Sequence, residues 1–79
     1  MTERPIKRSL TLKGHRTSVT LEDVFWDEFR AIAAKRGLPV NQLASDIDAA
    51  RGLELGLASA IRKFVVMDLK ARLEGTERL

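Results

Sequence analysis

The chain has 79 residues, no cysteine and a formal net charge of +3; a domain this small buries too little surface to be more than marginally stable alone. With no thiol to form a disulfide or a thiolate zinc site, self-association is the expected source of added stability. No apolar run approaches the roughly 20 residues of a membrane span, and Met1-Thr2-Glu3-Arg4-Pro5 has no apolar segment behind its charges as a secretory signal would, so a cytoplasmic protein without a membrane partner is expected.

The charge is unevenly placed. Arg4, Lys7, Arg8, Lys13 and Arg16 stand against Glu3 alone in residues 1–18, a net of +4 that leaves −1 for the other 61 residues. A dimer that set two such segments side by side would present a basic patch suited to phosphates.

Residues 1–8 read as a flexible basic arm, polar and without a period that buries a face. From Ser9 the period becomes two. Leu10 and Leu12 alternate with Ser9, Thr11 and Lys13, and after Gly14 the residues Thr17, Val19 and Leu21 alternate with Arg16, Ser18 and Thr20, so both stretches read as short strands. Lys13-Gly14 reads either as a tight turn between two strands or as a kink in one extended segment, the first being favoured. A lone strand leaves a row of backbone groups unpaired, and pairing with the same strand of a second chain would solve this by symmetry.

From Glu22 the period is helical, with Phe25, Trp26, Phe29, Ile32 and Ala33 on one stripe and Gly37 as the stop, giving a helix over about Glu22 to Arg36. A second helix is expected from Pro39 or Val40 to about Arg51, with Val40, Leu43, Ala44 and Ile47 on its apolar face. A connection bracketed by Gly52 and Gly56 precedes a third helix from about Leu57 to Leu73, whose stripe is Leu57, Ile61, Phe64, Val65, Leu69 and Leu73. The folded domain is expected over 9–74, with 75–79 frayed.

The order of strand, amphipathic helix, glycine turn and helix, carried by Arg16-Thr17-Ser18-Val19-Thr20-Leu21-Glu22-Asp23, then Phe25-Trp26 with Phe29, then Lys35-Arg36-Gly37-Leu38-Pro39-Val40-Asn41, resembles the ribbon-helix-helix repressors. The stretch from Lys7 to Ser18 resembles a subfamily of short stand-alone members. The resemblance spans about residues 7–72 and implies a mainly α protein with a short N-terminal β-ribbon, a ribbon-helix-helix homodimer to which this chain adds a third helix. It implies sequence-specific binding of double-stranded DNA by an antiparallel ribbon in the major groove, and a role as a transcriptional repressor. Arg16, Ser18 and Thr20 would then read bases, while Lys7, Arg8, Lys13, His15 and the helix-start amides of Val40 and Asn41 would contact phosphates. Pro39 departs from the serine or threonine that many members place at the start of the second helix.

Other readings attach to the same residues. Arg16 is placed to pair with Glu22, Thr20 to cap the first helix with Asp23 in the capping-box position, and His15 to serve only as a turn residue. Trp26 and Phe29 fall on the buried stripe and read as core. Asp46, Asp48 and Glu54 lack the spacing of a calcium loop, and no nucleophile with its base, phosphate-binding glycine loop or zinc cluster is recognisable; neither an enzyme nor a cofactor or metal site is expected. The runner-up function is a dimeric protein-interaction module, antitoxin-like or an adaptor. It would use the C-terminal helix, where Val66 and Met67 add apolar surface beside the main stripe.

Overall fold

The two alternating stretches fold into one antiparallel hairpin, β1 (Ile6–Leu12) with β2 (His15–Leu21), in a computed structural model that describes residues 4–77. Lys13 and Gly14 form the connection with φ of 51° and 83°, the pair of positive values a type I′ turn requires; glycine supplies the second without strain. The turn sets the register, with Leu12 opposite His15, Leu10 opposite Thr17, Arg8 opposite Val19 and Ile6 opposite Leu21.

Two expectations are corrected here. Strand β1 begins at Ile6, so Ile6, Lys7 and Arg8 belong to the sheet rather than to a flexible arm; Met1 to Glu3 lie outside the described residues. Strand β2 also has a partner within its own chain, because the alternation of Leu10 and Leu12 gives β1 an apolar side of its own. Leu10, Val19 and Leu21 are buried on the helix side of the hairpin.

Helix α1 spans Asp23–Lys35. Its N-cap is Glu22, whose carbonyl accepts the amides of Phe25 and Trp26 at 3.1 and 3.0 Å; Thr20 therefore remains a strand residue and does not cap the helix. At the other end Leu38 N donates to Ala33 O at 2.9 Å and Gly37 N to Ala34 O at 3.1 Å, with Gly37 at φ 68°. This is the Schellman arrangement, which satisfies the last carbonyls and turns the chain sharply toward α2.

Helix α2 spans Val40–Ala50 behind an N-cap of Pro39, and α3 spans Leu57–Glu77. The α3 helix thus continues through Gly75, into the segment expected to fray; Arg78 and Leu79 lie outside the described residues. Between α2 and α3, Arg51 staples the connection by donating to Asp48 Oδ1 at 2.8 Å and to Leu55 O at 2.7 Å.

The core lies where the hairpin meets the three helices: Phe29, Ile32 and Ala33 from α1, Leu43 and Ala44 from α2, Ile61 and Val65 from α3. Phe29 is fully enclosed, edge-on to Phe64 at 6.3 Å and tilted against Trp26 at 6.2 Å. Trp26 is only half-buried, packed at the margin of the core beneath the Arg8 guanidinium, 5.6 Å from the ring centre. The stripe expected for α3 ends early. Leu69 and Leu73 are exposed, and the inward positions of that stretch go to Asp68 and Arg72, which pair with α1.

Truncating the enclosed ring leaves a cavity that its neighbours cannot fill, so Phe29→Ala is expected to cost about 3–5 kcal/mol. Trp26→Ala, at the core margin, should cost less. Chemical denaturation of both variants ranks the two positions, and a larger loss at Trp26 would contradict this placement of the core.

Candidate nucleic-acid interface

Because side chains alternate along a strand, the row opposite to Leu10, Val19 and Leu21 forms the outer face of the hairpin. Lys7 stands opposite Thr20, Ser9 opposite Ser18 and Thr11 opposite Arg16. All six are exposed. The face therefore holds two cations and four hydroxyls, with neither a carboxylate nor an apolar side chain among them. Two strands lie about 4.8 Å apart, and a ribbon of that width fits the major groove of duplex DNA, about 12 Å wide.

Arg16, Ser18 and Thr20 are thus brought together on one face, as the sequence spacing implies, and Lys7 joins them from the neighbouring strand. Ser9 and Thr11 complete the face. Sequence reasoning had not assigned them a role; reading Lys13-Gly14 as a two-residue turn and counting outward from it would have placed both. Arg16 has no ion pair among the described residues: Glu22 stands six residues farther along the extended strand, about 20 Å away, and is bonded by Arg62, whose Nε and Nη2 donate to Glu22 Oε1 at 3.1 and 3.0 Å.

Arg8 does not belong to this face. It lies in the inner row with its side chain only 16 % exposed, pairs with Asp23, donates to Leu21 O at 3.2 Å and covers Trp26. These contacts remove it from the set of phosphate contacts expected from sequence. Lys13 is exposed at the tip of the hairpin. His15 falls in the inner row opposite Leu12, and with Lys13, Thr17, Asp48 and Arg51 it borders an open cavity of about 350 Å³; it does not share the face of Arg16.

The edges of the hairpin differ. Thr11 N donates to Asn41 Oδ1 at 3.0 Å, so the first turn of α2 covers the outer edge of β1. In an antiparallel pair the residues opposite one another point their backbone groups either at each other or both away. The outward amide of Thr11 therefore places the backbone groups of Arg16, Ser18 and Thr20 on the outer edge of β2. There Arg62 Nη2 donates to Thr20 O at 3.3 Å. At the start of α2, Gln42 N and Leu43 N donate to Pro39 O, while the amides of Val40 and Asn41 precede any acceptor inside the helix. Pro39 makes no side-chain cap.

A family model described as a ribbon-helix-helix domain matches residues 5–69. No curated protein and no solved structure gives a significant match.

The Glu22–Arg62 pair also predicts a pH dependence. A hydrogen bond from its own backbone, then the bond from Arg62, hold the Glu22 carboxyl below the ordinary glutamate value of 4.5. A carboxylate whose folded pKa is depressed contributes stability above its unfolded pKa and loses it as pH falls through the folded value. Thermal melts between about pH 6 and about pH 3 should therefore fall less steeply for Glu22→Gln than for the unaltered chain. Parallel curves would show that this carboxyl is not linked to folding.

Proposed function

The chain belongs to the ribbon-helix-helix family, whose members are typically DNA-binding transcription regulators, and we propose that it binds double-stranded DNA sequence-specifically as a homodimer and acts as a repressor. The single observation that carries this reading is the outer face of the hairpin, with Lys7, Arg16 and four hydroxyls and no competing carboxylate. An arginine fork bonds guanine O6 and N7, and serine and threonine hydroxyls donate to or accept from several bases. Arg16, Ser18 and Thr20 are the proposed readers. Lys7, Lys13 and the amides of Val40 and Asn41 are the proposed phosphate contacts, with His15 flanking them at the turn; Arg8 is left to hold the hairpin on α1.

The reading as a homodimer is supported by the outer edge of β2, where Arg62 takes Thr20 O and Arg16 and Ser18 also direct their backbone groups outward. An exposed strand edge templates pairing, and two copies of β2 joined antiparallel would extend the hairpins into a four-stranded sheet. Arg16, Ser18 and Thr20 of both copies would lie at its centre, on one side, where the β2 pair alone has the width that enters the major groove and the two β1 strands flank it. That doubling also doubles the positive charge available to the DNA backbone.

A second reading, a protein-interaction module built on α3, draws on the exposure of Val66 and Met67, at 45 % and 57 %. Titration against random duplex at two salt concentrations separates the readings. DNA binding through phosphates weakens steeply with salt, and an interaction module shows no DNA binding to weaken.

Base readers and backbone contacts respond differently to substitution. Arg16→Ala should cost about 1–3 kcal/mol in each half of the preferred site and relax the preference there, with little change on random DNA. Lys13→Ala should weaken both alike and lower the salt slope by about two units, one for each copy in the dimer. Specific and nonspecific affinities measured side by side check this, and equal losses on both DNAs for Arg16→Ala would make Arg16 a phosphate contact.

A further inference from the structure

Helix α3 is inverted over its C-terminal half. From Val66 onward the residues turned to the body of the protein are charged: Asp68 bonds Arg36 at 3.1 Å, and Arg72 bonds Glu28 at 2.6 Å and Asp68 at 2.9 Å. The apolar residues of the same stretch point away, with Val66 at 45 %, Leu69 at 38 % and Leu73 at 61 % exposure. A helix packing only on its own chain has the opposite pattern, apolar inward and charged outward.

These outward residues form one seam. Arg62, Val66, Leu69 and Leu73 follow at steps of four, three and four, the spacing of paired helices. At 100° per residue they fall within about 60° of one another, roughly 100° round the helix from Ile61 and Val65. The seam starts at the β2 edge, because Arg62, its first member, donates to Thr20 O and to Glu22. Strand edge and apolar seam are one continuous surface.

We infer that this seam is covered by the α3 seam of a second copy of the chain, so that α3 and β2 together form the dimer interface; the inference rests on the homodimer proposed above and names the surface that closes it. Continuity with β2 selects a second copy over a foreign protein: the twofold axis that pairs β2 with its own copy turns the two seams toward each other. Charge placement agrees. Lys63 and Lys70 lie on the same flank of the seam as Glu74, and in an antiparallel pair of helices like flanks meet. Lys63 of one copy therefore stands opposite Glu74 of the other. Met67, on the other side of α3 with Ile47 and Phe64, lies outside the interface.

Sedimentation equilibrium of the full chain tests this, with circular dichroism to verify folding. Leu69→Glu with Leu73→Glu should leave the helical signal intact, because both positions are exposed, and raise the dimer dissociation constant by about tenfold or more, the loss expected at an interface core. Met67→Glu should leave it unchanged. Glu74→Lys should weaken the dimer, and adding Lys63→Glu should restore it. A folded double variant that dimerises as tightly as the unaltered chain overturns the α3 assignment while the homodimer stands. An unaltered chain that stays monomeric overturns the homodimer itself.

Discussion

Everything distinctive about the molecule depends on the register that the Lys13-Gly14 turn imposes. Side chains alternate with a period of two, so a slip of one residue would exchange the faces of the moved strand. With Leu12 opposite His15, Leu10, Val19 and Leu21 enter the core, and Lys7, Ser9, Thr11, Arg16, Ser18 and Thr20 face solvent. The same alternation decides the edges. It turns the Thr11 amide toward Asn41 and leaves the outer backbone row of β2 facing away from β1. One two-residue turn thus sets the polar face, the apolar face and the edge available to a partner.

The helices hold that hairpin by two kinds of contact. Around Phe29 the contact is apolar and dense, and it holds α1 against α2 and α3. Farther along, arginines tie the elements together: Arg8 joins β1 to Asp23, Arg62 joins α3 to Glu22 and Thr20, and Arg72 joins α3 to Glu28. Partly exposed pairs of this kind contribute little stability each, but they set where the helices lie. They also remove Arg8 and Arg62 from the pool of mobile cations, so the outward charge of the hairpin is concentrated at Lys7, Lys13 and Arg16.

Much of this was legible in the sequence because local signals and tertiary packing agree. The expected bounds Glu22 and Arg36 lie within a residue of the observed ends of α1, and the alternation of Arg16 to Leu21 identifies the outward row of β2. Other features depend on contacts no local pattern encodes. Arg8 looks like one more cation of a basic arm until the hairpin register turns it over Trp26. Leu69 and Leu73 continue the apolar stripe of α3 in sequence, yet each step of four residues turns about 40° farther round the helix, which leaves the inward positions to Asp68 and Arg72. The strand register decides the first case and the helical pitch the second.

The central claim is that the outer hairpin face is where DNA binds. Amide-resolved NMR of the full chain, titrated with a duplex of random sequence, tests it most directly. The account predicts the largest shifts at Lys7, Ser9, Thr11, Arg16, Ser18 and Thr20 and at the start of α2. Shifts gathered on α3, with the hairpin unperturbed, would contradict it.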